Sequence, residues 1–102
     1  DDLIISGGEN VYPAEIEAVL EAHPDVLEAG VYGVDDERWG RTPVAVAVLR
    51  EGSSPDAASL MAFCRERLAA YKTPSRIEFR DALPRNAAGK LLRRRLWSDF
   101  EE

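Results

Sequence analysis

Hydrophobic residues along the 102-residue chain follow two different spacings, and each spacing predicts a different kind of element. In residues 13–23 the apolar side chains of Ile16, Val19 and Leu20 recur three and four positions apart, as on one face of a helix. Residues 42–50, TPVAVAVLR, are apolar at nearly every position, which is typical of a strand covered on both faces. We therefore expect this strand to lie at the centre of a sheet.

The same patterns predict the remaining elements. β-favouring runs flank GGEN and indicate an N-terminal hairpin whose turn uses the glycines. Strands are expected at DVLEAGVYGV and RIEFR, and LLRRRLWSDF is expected to be a final helix with Leu92 and Leu96 facing inward. A second helix should begin near Pro55 and end before Pro74. Its expected buried stripe comprises Leu60, Phe63, Cys64, Leu68 and Tyr71.

This order of elements predicts an α+β fold: a small three-stranded sheet with flanking helices, preceded by a short N-terminal β-hairpin. The length suits a single domain, residues 1–102. Between the two long strands, DDERWGR (residues 35–41) is expected to form a loop, because it is too long and too charged for a tight hairpin turn.

Composition places limits on location and partners. Hydrophobic residues make up 45% of the chain and charged residues 31%, and no apolar run is long enough to span a membrane. No signal peptide is recognisable. The single cysteine, Cys64, cannot form an internal disulfide, so we expect a reducing compartment, the cytoplasm. Because the chain does not begin with Met, we interpret it as a fragment.

Charge is distributed unevenly within the net −6. Residues 1–37 contain eleven acidic residues and no Lys or Arg, whereas residues 85–95 contain five cations and no acid. Such a cationic run can contact phosphate groups, or it can be an ordinary solvated helix face.

Three places could carry chemistry, and each has a structural alternative. In SGGEN, bare backbone would let a ligand chain pass close by, or the hairpin simply needs positive φ. Trp39, between Arg38 and Arg41, could stack on a base, or it could cover the sheet edge. Lys90 is one of only two lysines beside eleven arginines. A compact ammonium suits reaching into a partner's site, although a surface lysine at a helix start is the simpler alternative.

Other chemistry is not indicated. The sequence contains no metal-binding cluster and no Ser, His and Asp set, so we expect no metal site in this chain. The single histidine, His23, precedes Pro24 and is interpreted as a helix-end residue.

In combination and in this order, DDLIISGGENVYPAEIE, HPDVLEAGVYGVDDERWGRTPVAVAV, YKTPSRIEF and LPRNAAGKLLRRRL resemble the C-terminal domain of acyl-CoA synthetases, members of the adenylate-forming superfamily. The resemblance covers residues 1 to about 97. It implies a ligase that joins a carboxylic acid to CoA through an acyl adenylate, with ATP and CoA as substrates and Mg²⁺ in the full-length enzyme. It also implies a large N-terminal domain as partner, and neither nucleic acid nor a membrane span.

The resemblance assigns a role to individual residues. Asp1 matches the hinge about which the small domain rotates between two poses, and Lys90 matches the lysine that enters the site for adenylation. Trp39 resembles the aromatic residue that stacks on the CoA adenine. The loop that faces the pantetheine tunnel in the second pose comprises Ser6, Gly7, Gly8, Glu9 and Asn10.

One part of the family pattern is missing. Thr73 and Ser75 are uncharged where we expect cations that contact the CoA phosphates in some relatives. Substitutes could be Arg38, Arg41, Lys72 and Arg76. Two other functions are considered: an adenylation domain that loads a carrier protein, which brings no adenine for Trp39, and a free-standing interaction module. The fragment alone is expected to be inactive.

Overall fold

The computed structural model describes residues 2–100 of the chain, with side chains described to residue 97. The observed element order confirms the predicted α+β fold, with two sheets of two and three strands. In chain order the elements are β1 (Ile4–Ser6), β2 (Glu9–Val11), α1 (Pro13–Glu21), β3 (Val26–Asp36), β4 (Gly40–Leu49), α2 (Ala57–Arg67), a 3₁₀ turn (Ala70–Lys72), β5 (Arg76–Phe79) and α3 (Arg94–Phe100).

The N-terminal hairpin has the predicted two-glycine turn. Strands β1 and β2 pair antiparallel, and Ser6 lies opposite Glu9. Gly7 has φ +58° and Gly8 has φ +84°. Positive φ at both central residues gives a turn whose twist matches that of the flanking strands, and glycine adopts it without strain. The paired strands therefore hold this turn, which carries no side chains at Gly7 and Gly8, in a defined conformation.

Strand β4 is central in the three-stranded sheet, as predicted, with β3 antiparallel on one side and β5 parallel on the other. Its alternate residues supply two separate cores. Ala45 and Ala47 pack with α1 and α2, whereas Val44 and Val46 pack beneath α3. Burial of both faces explains why the strand is apolar at nearly every position.

The connection between β3 and β4 was predicted as a long loop, and this prediction was wrong. Pairing continues to Asp36 opposite Gly40, so only residues 37–39 form the turn. The Asp36 carboxylate accepts hydrogen bonds from the backbone N–H groups of Arg38 and Trp39, both at 2.8 Å. Gly40 completes the turn with φ +82°. The charged segment is thus a tight turn closed by an Asp side chain and a glycine.

Two details of the predicted helices are also corrected. α2 begins after Asp56, whose carboxylate caps Ser59 N at 2.8 Å, and it ends at Arg67. Tyr71 therefore lies beyond the helix and is 39% exposed, not buried. In the last helix Leu96 is buried as predicted, but Leu91, not Leu92, packs with it against the core. The helix starts only at Arg94, so Leu92 precedes it.

Side chains, not a further strand, satisfy the outer edge of β3. Val31 N–H donates to Glu17 at 2.8 Å, and Ala29 N–H donates to Glu21 at 3.1 Å. Arg93 donates to the Val31 carbonyl at 2.9 Å and to the Glu17 carboxylate. Because an open edge exposes unpaired backbone groups, these contacts protect the sheet and fasten α1 to it.

Glu17 gives a prediction for stability against pH. Burial raises the pKa of Glu17, although the hydrogen bond from Arg93 opposes this effect. The folded state therefore binds the proton more readily than the unfolded state, so the stabilisation that Glu17 contributes grows as pH falls through its folded-state pKa. We expect the unfolding free energy of the wild type minus that of Glu17→Gln to rise between pH 7 and about 4, the ordinary Glu range. Denaturant titrations at several pH values measure it, and a falling difference would contradict the assignment.

Candidate functional site

The glycine turn and Trp39 meet in the structure, although they are far apart in sequence. Gly7 N–H donates to the Trp39 carbonyl at 2.8 Å. A Cβ placed on Gly7 would lie 2.9 Å from Cε3 of the Trp39 ring, closer than side chains normally approach. Gly7 is therefore required by both its positive φ and this contact, and the hairpin turn orients the indole.

Trp39 borders a groove of about 450 Å³. The indole is 48% exposed, and the Arg38 guanidinium lies 4.8 Å from its ring centroid. The ring lies close to Gly7 of the hairpin turn, and Trp39 also borders the groove, so its exposed part is accessible to a ligand. Residues lining the groove are Ser6, Asp36, Trp39, Thr42, Ala70, Tyr71, Thr73 and Ser75.

The other residues of the predicted glycine loop differ in their exposure. Ser6 is buried and lines the groove, whereas Glu9 and Asn10 are exposed on β2. Gly8 is open: a Cβ placed there would meet no other atom within 4 Å. A ligand passing the turn could therefore approach the Gly8 backbone closely.

The cations proposed as substitutes for phosphate contacts are mostly engaged within the chain. Arg41 donates to the Gly33 carbonyl at 2.7 Å, and Arg76 pairs with Glu78 at 2.8 Å. Lys72 pairs with Glu15 at 3.0 Å, and this hydrogen bonding raises the pKa of Lys72. Arg38, over the indole, is the best placed of the four for an incoming phosphate.

Lys90 ends a tightly closed loop. The Asn86 side-chain oxygen accepts from the backbone N–H groups of Ala88 and Lys90, both at 2.9 Å, and Asn86 N–H donates to the Lys90 carbonyl at 3.0 Å. Arg85 and Leu91 form a β-bridge at the base of the loop, and Gly89 has positive φ. Lys90 itself is exposed. The loop thus presents a long cationic side chain from a well-defined backbone.

Lys90 borders a second groove, of about 410 Å³. This groove shares no lining residue with the groove at Trp39, so the two candidate sites are separate. Its lining residues are Asp2, Lys90, Leu91, Leu92, Arg93, Arg94 and Arg95. Asp1, the predicted hinge, lies outside the described residues, but Asp2 pairs with Arg93 at 3.2 Å.

The remaining candidates have structural roles. His23 follows α1, accepts a hydrogen bond from Asp25 N–H at 3.0 Å, and packs edge-on against Phe63. Burial raises the pKa of the Cys64 thiol, which lowers its reactivity. Within the described residues there is no group of His, Cys, Asp and Glu that could hold a metal ion. No helix in that part of the chain is long and apolar enough to cross a membrane.

Sequence reasoning missed three residues that shape these sites. Tyr71 is predicted to belong to a helix core, but it lines the groove that Trp39 borders. Asn86 organises the Lys90 loop, and Asn before a glycine at this spacing is a turn signal that could have been used. Arg85 donates directly to the Gly89 carbonyl of the same loop and also pairs with the distant Glu28, and no local signal indicates the pairing with Glu28.

The molecule is a small α+β domain with two surface grooves that share no lining residue, one bordered by Lys90 and one by Trp39. The chain belongs to the family of AMP-binding enzyme C-terminal domains, whose model matches residues 15–90.

Curated relatives agree with this family. The chain is 70% identical over 95 residues to the 2-succinylbenzoate–CoA ligase of Geobacillus kaustophilus. This match covers 93% of the chain and 19% of the relative. It is 56% identical, over the same 93% of the chain, to the 2-succinylbenzoate–CoA ligase of Bacillus subtilis. The chain therefore spans about a fifth of the length of these relatives.

Solved structures agree as well. A double mutant of o-succinylbenzoate CoA synthetase from Bacillus subtilis, bound with its product analogue OSB-NCoA, superposes with a TM-score of 0.90 at 54% identity. The match covers 95% of this chain and 20% of the synthetase chain. ATP-bound MatB from Rhodopseudomonas palustris has a TM-score of 0.91 at 38% identity, over 99% of this chain and 20% of its own.

Proposed function

We propose that this chain is the C-terminal domain of an ATP-dependent acyl-CoA synthetase whose acid is 2-succinylbenzoate. The full-length protein would convert the acid, ATP and CoA to acyl-CoA, AMP and pyrophosphate. The observation that carries the reaction type is the presence of two distinct regions, the groove bordered by Lys90 and the bare turn of Gly7 and Gly8 beside the groove bordered by Trp39. The choice of acid rests on the 70% identity to a 2-succinylbenzoate–CoA ligase.

Lys90 serves the first half-reaction. As the acid's carboxylate attacks ATP, negative charge shifts among carboxylate and phosphate oxygens, and an ammonium placed beside them stabilises that charge. Lys90 is exposed at the end of a closed loop, so it can enter a site built by the N-terminal domain. Its cationic neighbours would raise the local attraction for a nucleotide.

The glycine turn serves the second half-reaction. Because no side chain projects at Gly7 or Gly8, the pantetheine arm of CoA can pass along the backbone of the turn. The half-exposed indole of Trp39, held against Gly7, then offers a face for the adenine at the other end of CoA. Ser6, Glu9 and Asn10 would border this path.

Alternation explains why one small domain carries both sites. The two grooves share no lining residue, and we infer that each faces the catalytic centre in a different pose. Rotation about Asp1 would present each groove in turn to the N-terminal domain, since hinges are typically a few residues at the ends of elements. ATP brings Mg²⁺ to such enzymes, but the described residues offer no ligand cluster, so we assign none of its ligands to this chain. We infer a cytoplasmic location.

The test uses the full-length protein that contains this chain. With 2-succinylbenzoate, ATP and CoA it should release pyrophosphate and form the CoA thioester, whereas benzoate and succinate should give little of either. Thioester formation on a pantetheinylated carrier protein, with none on CoA, would favour the carrier-loading alternative. Absence of pyrophosphate release with any acid would overturn the proposal and leave the interaction module.

Trp39 gives a prediction for CoA recognition. Trp39→Ala should weaken CoA binding by about 1–3 kcal/mol, because the adenine loses its stacking partner. The KM for CoA should rise accordingly, and the KM for pantetheine, which has no adenine, should stay unchanged. Steady-state kinetics with both thiols measure the difference. Equal rises for the two thiols would instead show that Trp39 only supports the hairpin.

A further inference from the structure

One guanidinium links the Lys90 loop to the three-stranded sheet. The Nε and Nη2 atoms of Arg85 donate to Oε1 of Glu28, at 3.0 and 2.6 Å. Its Nη1 atom donates to the Gly89 carbonyl at 2.9 Å. Glu28 belongs to β3, and Gly89 directly precedes Lys90 in the chain. A single side chain therefore connects a fixed strand to the peptide unit next to Lys90.

The rest of the loop is held only near its base and by Asn86. Leu92 N–H donates to the Pro84 carbonyl at 2.9 Å, which closes the base beside the Arg85 and Leu91 bridge. These bonds fix the shape of the loop within itself. The Arg85 side chain adds a connection of a different kind, because it fixes the tip of the loop relative to the sheet.

We propose that Arg85 is a positioning residue for Lys90, acting through the Gly89 carbonyl while Glu28 holds the guanidinium. This inference rests on the proposed function, in which Lys90 must reach the reacting oxygens of acid and ATP. The lysine side chain is flexible, so the position of the backbone at residues 89–90 determines where the Lys90 ammonium can lie. A misplacement of about 1 Å in such a group can cost roughly 100-fold in rate.

The position of Arg85 near the surface indicates that it contributes little to the stability of the fold. The Arg85 side chain is 36% exposed and that of Glu28 is 24% exposed, so the pair lies near the surface. Ion pairs of this kind contribute little to folding. Loss of Arg85 should therefore leave the domain folded while releasing the tip of the loop.

The first experiment compares half-reactions in the full-length enzyme. Arg85→Ala should slow acyl-adenylate formation about tenfold and leave thioester formation from synthetic acyl adenylate within about twofold. Arg85→Lys should rescue only partly, since one ammonium lacks the fork that reaches Glu28 and Gly89 together. The matched control is Arg67→Ala, which removes a 43% exposed arginine paired with Glu66 at 3.1 Å on α2. It should change neither half-reaction.

The second experiment is a double-mutant cycle with Lys90→Ala. If Arg85 acts only through Lys90, adding Arg85→Ala to Lys90→Ala should cost nothing further in adenylation. A further loss equal to that in the wild-type background would overturn the inference. If Lys90→Ala slows adenylation but Arg85→Ala does not, the inference alone fails. If Lys90→Ala has no effect, the proposed function fails and this inference fails with it.

A readout independent of activity completes the test. In Arg85→Ala and in Glu28→Gln, amide hydrogen exchange should become faster in residues 86–90, while exchange in the glycine turn should stay unchanged. Unchanged exchange in residues 86–90 of both variants would contradict the proposed link from Glu28 through Arg85 to the loop, whatever the kinetics show.

Discussion

Replacing Lys90 with alanine in the full-length protein is expected to slow acyl-adenylate formation roughly 10²- to 10³-fold, the effect of losing one preorganised donor at a site of developing charge. The same variant, supplied with synthetic acyl adenylate and CoA, should form thioester at close to the normal rate. In the second pose Lys90 would have left the catalytic centre, so its loss should not be felt there. Pyrophosphate release and thioester formation, measured separately, test both statements.

A loss of adenylation in Lys90→Ala should come from the missing ammonium and not from a change in the shape of the loop. Lys90 is exposed, and the loop is closed by backbone groups and by the Asn86 side chain, none of which needs the Lys90 ammonium. Lys90→Arg should rescue poorly, because a planar fork cannot take the place of a compact ammonium without moving its partners. Acetylation of Lys90 should resemble the alanine variant, since it removes the charge. Arg65→Ala, which removes an exposed cation from α2, is the control.

Equal losses in the two half-reactions of Lys90→Ala would refute the assignment of the two grooves to two poses. A variant with no loss in either half-reaction would make Lys90 an ordinary surface lysine. These two outcomes can be told apart from a folding defect by comparing the thermal unfolding of the variant and of Arg65→Ala.

Much of the fold could be predicted because its signals are local. The uninterrupted apolar run of β4 identifies a central strand, since a strand buried on both faces needs apolar side chains on both. The charged residues between β3 and β4 favour a long loop by composition, and this prediction is wrong because the turn comprises only residues 37–39. Asp36 and Gly40 in fact supply the hydrogen-bond acceptor and the positive φ that a tight turn needs.

The candidate site was predictable in its parts and not in its arrangement. The sequence singles out Lys90 because lysine is rare in this chain, and it singles out the paired glycines because glycine adopts positive φ without strain. The contact between Gly7 and Trp39 depends on how the hairpin packs on the sheet, which no local pattern reports. The link from Arg85 to Glu28 has the same origin, since it joins a loop to a strand far away in the sequence.

The glycine turn leads to the second large effect. Gly8→Leu or Gly8→Ile in the full-length enzyme should slow thioester formation from acyl adenylate by roughly 100-fold, because a side chain there obstructs the path of pantetheine and displaces the thiol. Pyrophosphate release should be spared, since the turn would face away from the centre during adenylation. Single-turnover measurements of the two half-reactions provide the comparison.

Backbone strain is the competing explanation for such a loss, and the chain contains its own control. Gly52 has φ +85°, against +84° for Gly8, and a Cβ at either position would meet no atom within 4 Å. A left-handed conformation costs a non-glycine residue roughly 1–2 kcal/mol, so Gly8→Leu and Gly52→Leu should be destabilised alike. Gly52 lies in the connection between β4 and α2 and borders neither groove, whereas Gly8 lies in the hairpin turn next to Gly7, which contacts Trp39. Thioester formation should therefore stay near normal in Gly52→Leu, and a loss matching that of Gly8→Leu would show that strain, not obstruction of the tunnel, is responsible.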